Sequence, residues 1–307
     1  MSYYELLGLE QEPFSSSPDP EFLFLSREHK AALCRLQVAI ALKRGLSVVL
    51  GDIGTGKTTL SRKLAQVLSD DPDVVLRMIL NPYFRSEDQF LSRLVTLFRI
   101  DRHGVGAGAD LLEAVEWYLF RTGVEEDKTV VLLIDEAQIL PEFVLELLRI
   151  LLNYETNKFK ILQLVLVGQL ELLPRLANKP NLWDRIGLKC VLHPLRLEEA
   201  EALIDFRLRH AGYRRRQPLF TAEAIQRIYE HTQGYPRRMS FFCHGCLEAL
   251  VMYERTAVDL ELVERLIAAE VKPVVAVAAP EPKGEPGAAS AEMQTLDAGA
   301  GQTAAGA

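Results

Sequence analysis

No stretch of this sequence approaches the roughly 18 consecutive apolar residues that a membrane-crossing helix needs. The longest apolar runs, such as 130–134 and 274–279, are far shorter, so no membrane span is expected. The opening Met1-Ser2-Tyr3-Tyr4-Glu5 has no basic segment followed by an apolar core, and it does not read as a secretory signal. Cysteine is scarce, with four in the chain. Cys34 and Cys190 stand alone, and Cys243-His244-Gly245-Cys246 falls inside an apolar run from Met239 to Met252. A zinc site needs four ligands, and a redox C-x-x-C opens a helix after a strand. Cys243 and Cys246 are therefore expected on a buried helix face, and the thiol content fits the cytoplasm. Excess positive charge is also missing. Lys and Arg number 35 against 42 Asp and Glu, a formal charge of −7. That balance argues against a surface that coats nucleic acid or anionic membrane, although a local basic stripe could still bind either.

What the chain does contain is enough apolar material for a core. Its 307 residues are 49% hydrophobic, sufficient for one large domain and a smaller one. Directly after the apolar run 46–50 comes Gly51-Asp52-Ile53-Gly54-Thr55-Gly56-Lys57-Thr58, which reads G-x-x-x-x-G-K-T. The glycines let successive backbone N–H groups face one anion, and the helix that follows presents the positive end of its dipole. Lys57 is expected to reach the terminal phosphates of a nucleoside triphosphate, and the Thr58 hydroxyl to ligate magnesium. Thr59 continues the same turn. The segment Gly51, Asp52, Ile53, Gly54, Thr55, Gly56, Lys57, Thr58 and Thr59 is the expected binding site for ATP with Mg2+.

Hydrolysis needs carboxylates at the end of another strand. Val130-Val131-Leu132-Leu133-Ile134 leads into Asp135 and Glu136. Asp135 is the candidate metal carboxylate and Glu136 the candidate base for the attacking water. The run 161–168 ends at Gln169, whose amide can donate and accept at once between water and phosphate. Asn181-Leu182-Trp183-Asp184-Arg185 offers Arg185 as a guanidinium projecting toward a neighbour's site, with Arg175 as the rival. In Gln233-Gly234-Tyr235-Pro236-Arg237-Arg238, two arginines open a helix against its dipole, an arrangement that a bound phosphate would offset.

Strand-length apolar runs at 46–50, 74–80, 129–135, 161–168 and 188–192 alternate with helical patterns, the mark of a parallel sheet covered by helices. Their near-continuous hydrophobicity implies burial on both faces. Helices are expected at 86–99 and 110–122, with a Gly-rich loop at 101–109 between them. After Pro194 only helices follow, at 198–211, 222–232, 237–253 and 260–271, with Thr221 and Asp259 as N-caps. The expected division is an N-terminal segment at 1–44 packing on the nucleotide domain, an α/β domain at 45–194, a helical lid at 195–271, and a disordered tail at 272–307.

The motifs GDIGTGKT, LLIDEAQ (132–138), LVLVGQLEL (164–172), NLWDRI (181–186) and TQGYPRRMS (232–240) resemble the AAA+ ATPases of the general secretion pathway protein A (ExeA/GspA) type. The lead-in EPFSSSPDPEFLFLS (12–26) is similar as well, and it is more distinctive than the shared P-loop. The resemblance implies a P-loop AAA+ domain with a five-stranded parallel sheet followed by a small all-helical lid. It also implies ATP and magnesium as ligands, Gln169 in the sensor-1 position, Arg237 in the sensor-2 position, and a ring or other homo-oligomer in which Arg185 acts in trans. The segment 14–25 is expected near the adenine. In such proteins ATP turnover assists secretin assembly or pilus biogenesis, but the membrane span and peptidoglycan-binding domain of the full-length pattern are not in this sequence. The alternative is a DNA-binding ATPase resembling transposition regulators of the TniB or MuB kind, with Tyr213-Arg214-Arg215-Arg216 as its phosphate-binding cluster. A nucleotide-gated scaffold is a third reading. Gene neighbours encoding secretin or pilin, or instead a transposase, would discriminate among them.

Overall fold

Five largely apolar strands favour a parallel sheet covered by helices. In the computed structural model, which describes residues 2–15, 22–101 and 110–270, they form it, buried throughout at 46–51, 130–134 and 162–168, whereas 74–78 is half-buried and 187, 189 and 191 of the last strand are exposed. The strands are β1 (Leu46–Gly51), β2 (Val74–Ile79), β3 (Thr129–Ile134), β4 (Leu162–Gly168) and β5 (Ile186–Leu192), in the order β2-β3-β4-β1-β5. Every pairing is parallel. Leu166 of β4 is level with Val48 of β1 and with Ile134 of β3, so the carboxyl ends of these three strands open at one edge. Ligands of open α/β sheets bind at such an edge.

Alternate side chains feed two separate cores. On one face Val48, Leu50, Leu132 and Leu164 pack with α4 (Glu87–Phe98), α5 (Leu111–Phe120) and α6 (Glu142–Leu151). On the other, Val49, Val131 and Val165 pack with α2 (Arg27–Ala41) and α3 (Lys57–Ser69). The short helices α7 (Leu172–Ala177) and α8 (Pro180–Trp183) connect β4 to β5. The third core holds the helical part, α9 (Leu197–His210), α10 (Ala222–Thr232), α11 (Pro236–Met252) and α12 (Leu260–Ala269). Thr221 caps α10 by accepting from the Ala224 N–H, and Asp259 accepts from the Leu262 N–H at the start of α12. Cys243 and Cys246 are fully buried in α11, where burial raises both thiols, Cys246 to about 12.

The N-terminal segment divides between these cores. α2 lies on the sheet, but Leu9, Phe14 and Phe22 are buried with the helical part. Phe14 meets the ring of Phe220 edge-on, and Phe22 meets His210. The short helix α1 (Tyr3–Leu6) packs beside α11, where the Tyr3 hydroxyl is 3.0 Å from His244 Nδ1. Pro18-Asp19-Pro20, the Gly-rich loop after Asp101 and the expected tail at 272–307 lie outside the described residues. Among the described residues no helix is long and apolar enough to cross a membrane.

Candidate functional site

The loop between β1 and α3 is shaped by glycine. Gly54 and Gly56 have φ of 86° and 94°, values that L side chains resist. A Cβ on Gly56 would also sit 2.6 Å from His29 Nε2, so a side chain there would have to push the ring aside. Within the loop the Thr55 hydroxyl donates to the Asp52 carbonyl at 2.9 Å. Lys57 opens α3, and its ammonium donates to the carbonyls of Gly51 and Asp52, each at 2.9 Å. The side chain is 6% exposed, and burial lowers its affinity for the proton, while Glu136, Asp135 and Asp52 work the other way.

Asp135 emerges at the end of β3 and is 1% exposed. Desolvation raises its pKa, countered by a hydrogen bond from the Glu136 N–H at 2.9 Å and another from the Thr58 hydroxyl. Thr58 and Asp135, the two expected magnesium ligands, are thus in contact. They supply hard oxygen donors, the set magnesium prefers, and a divalent cation would offset the buried carboxylate charge. Among the described residues no group of three or more His, Cys, Asp and Glu side chains could hold a metal. Two oxygen donors, Thr58 and Asp135, suit an ion that takes its remaining ligands from phosphate and water.

Glu136 is held at φ 52° and ψ 36°, a left-handed conformation uncommon for a residue with a side chain. Its carboxylate accepts from Gln138 Nε2 at 2.6 Å, and Gln138 Oε1 accepts the backbone N–H of Gln169 at 3.1 Å. Gln169 follows β4, which lies between β1 and β3, so it stands between the loop and the carboxylates. Gln138 links two expected site residues and was not itself an expected one. Its sign in the sequence is its place as the last residue of LLIDEAQ, two residues after Glu136.

The start of α11 meets the loop from the helical part. The Arg237 N–H donates to the Gly54 carbonyl at 3.4 Å, and a Cβ on Gly54 would lie 3.2 Å from the Arg237 Cβ. The Tyr235 hydroxyl donates to the Asp52 carboxylate at 3.1 Å. Arg185, by contrast, precedes the first residue of β5, which pairs with Leu46 at the opposite end of β1. Six strand residues put it on the order of 16 Å or more from the loop of its own chain. Its guanidinium donates to the Arg149 carbonyl at 2.8 Å. The rival Arg175 is already committed, donating to the carbonyls of Gln138 and Leu140, each at 2.6 Å, and to the Glu142 carboxylate.

His29 is the site neighbour with the weakest trace in the sequence. It is buried in the first turn of α2, with Nε2 2.9 Å from the Thr55 carbonyl oxygen and Nδ1 2.6 Å from the Ser26 hydroxyl.

Comparison with known proteins bears on the family and the fold. Residues 41–176 match the model of a family described as an AAA domain. General secretion pathway protein A of Aeromonas hydrophila is 36% identical over 251 residues, which cover 80% of this chain and 44% of that protein. The chain thus spans less than half of that relative's length. Among solved structures, the ORC2 protein of Aeropyrum pernix in its ADPNP-ADP complexes has a TM-score of 0.58 at 16% identity, covering 86% of this chain and 73% of that one. Cdc6p of Pyrobaculum aerophilum has a TM-score of 0.60 at 18% identity, covering 80% and 67%. At those identities the likeness concerns the fold. Motifs, strand order and relatives together make this chain a P-loop AAA+ protein of the general secretion pathway protein A type.

Proposed function

We propose that the chain binds and hydrolyses ATP at the shared edge of β1, β3 and β4, and that turnover drives assembly or remodelling of a secretion or type IV pilus system. The observation that carries the reading is the contact of Thr58 with Asp135 beside the buried Lys57, with Glu136 the next residue along. In this reading the backbone from Gly51 to Thr59 wraps the phosphates and Lys57 meets their terminal charge. Thr58 and Asp135 would hold magnesium, which would neutralise charge on the phosphates. Glu136 accepts a proton from water as the water oxygen bonds to the terminal phosphorus and the bond to the bridging oxygen breaks. Gln169 orients that water, and Arg237 faces the phosphates from the helical part.

Arg185 serves the site of a neighbouring copy, which requires a ring or other homo-oligomer. Its distance from the loop of its own chain supports the trans role, as does the commitment of Arg175 to three acceptors. The 36% identity to general secretion pathway protein A favours a secretion partner over a transposition regulator. The compartment proposed is the cytoplasm, consistent with four free cysteines.

The deciding experiment is a magnesium-dependent phosphate-release assay on wild type and Glu136→Gln. Wild type is expected to turn over ATP, and the variant to keep nucleotide affinity while turnover falls about 10²–10⁴-fold. Equal turnover in the two would overturn the role of Glu136.

A further inference from the structure

His29 has no part in the chemistry described above, yet both of its ring nitrogens are used. A carbonyl oxygen can only accept, so the proton sits on Nε2 and is donated to Thr55. Nδ1 then accepts from the Ser26 hydroxyl, which in turn accepts the His29 backbone N–H at 3.3 Å as the N-cap of α2. One neutral tautomer satisfies every one of these contacts. Burial, which makes a charged imidazole unfavourable at this position, agrees with that tautomer.

The consequence follows from the planarity of the peptide bond. In a trans peptide the C=O of one residue and the N–H of the next point in opposite directions. With the Thr55 carbonyl drawn toward His29, the N–H of Gly56 faces away from α2, toward the opposite side of the loop. Gly56 is the residue immediately before Lys57, and only its positive φ and missing Cβ allow the ring so close. The turn that carries the ring is itself tied down. The Arg27 N–H donates to the Glu199 carboxylate of α9 at 2.9 Å, and the Glu28 carboxylate accepts the His193 N–H, just past β5, at 2.9 Å.

We propose that His29 is a positioning residue for nucleotide binding. By holding the Thr55 carbonyl it fixes the Thr55–Gly56 peptide plane, aims the Gly56 N–H at the phosphate, and ties the loop to a turn anchored on the helical part. The inference rests on the nucleotide-binding reading of the loop. A peptide left free to rotate would present a carbonyl oxygen to an anion instead of an N–H, so the loss would fall on phosphate affinity.

The test measures the affinity of the full chain for Mg·ATP by titration calorimetry, below the unfolding midpoint of each variant. His29→Leu removes the N–H donor while keeping bulk, and is expected to raise Kd about tenfold. His29→Gln carries an amide N–H to nearly the reach of Nε2, and is expected to restore Kd to within about threefold of wild type. His29→Asn is polar but too short to reach Thr55. It should bind as weakly as His29→Leu, and it serves if the leucine variant does not fold. A role confined to stability would lower the melting temperature in all three without this pattern of affinities. Wild-type affinity in His29→Leu or His29→Asn, or a glutamine variant no better than leucine, would overturn the proposal. A wild-type chain that binds no nucleotide would instead overturn the reading beneath it.

Discussion

Gln138 donates its side-chain N–H to the carboxylate of Glu136 at 2.6 Å, across a backbone held at a left-handed φ. The same amide accepts the Gln169 N–H, so the candidate base is braced against the end of the central strand. Gln138→Leu should therefore disturb the aim of the carboxylate while leaving the phosphate loop intact. The expected outcome is a fall in kcat of about tenfold with KM little changed, read from steady-state phosphate release. A rise in KM at constant kcat would place Gln138 in binding instead.

Arg185 and Arg175 make opposite predictions. Arg185→Ala should cut hydrolysis by about 10³-fold and leave ATP binding unaltered, as expected of a guanidinium that acts across a subunit boundary. Mixing it with Glu136→Gln should recover activity, since a site built from the base of one variant and the arginine of the other is complete. Mixed samples no more active than their parts would contradict the trans assignment.

Arg175 ties the segment after Glu136 to α7 by donating to the carbonyls of Gln138 and Leu140. Arg175→Ala leaves both carbonyls without their donor, and is expected to cost about 2 kcal/mol of stability in urea unfolding. Mixing it with Glu136→Gln should give no recovery of activity. Recovery would mean that Arg175 also acts in trans.

The lowered pKa of His29, caused by burial, has a stability consequence with a definite sign. An unfolded histidine takes a proton near pH ~6.5, and the folded ring does so only at lower pH. The contribution of the neutral ring is therefore complete above that value and shrinks as pH falls through it toward the folded pKa. In nucleotide-free protein, wild type should lose more melting temperature than His29→Gln between about pH 7.5 and 5.5. Parallel pH profiles would show that the ring titrates alike in the folded and unfolded chain.

The legible parts of this molecule are those written locally. Apolar runs of strand length mark β1, β3 and β4 because their side chains are buried on both faces. Thr221 and Asp259 mark two helix starts because a capping side chain acts on a neighbour three residues away. The loop between β1 and α3 is read from its glycines, the residue that takes the positive φ found at Gly54 and Gly56 without strain. What was not legible depends on distant partners. The contact of Phe14 with Phe220 closes a separation of over two hundred residues, and no local period predicts it. His29 meets Thr55 only because α2 lies on the face of the sheet beside α3, and α2 had no counterpart among the expected helices. The brace from Gln138 to Gln169 depends on β3 and β4 being neighbours, a matter of strand order.

The most direct measurement is titration of the purified chain with Mg·ATP by calorimetry, alongside Lys57→Ala. A saturable isotherm for wild type, lost when the ammonium that bridges Gly51 and Asp52 is removed, is the expected result. No heat of binding in wild type, or equal affinity in the alanine variant, would contradict the assignment of this loop as the seat of a triphosphate.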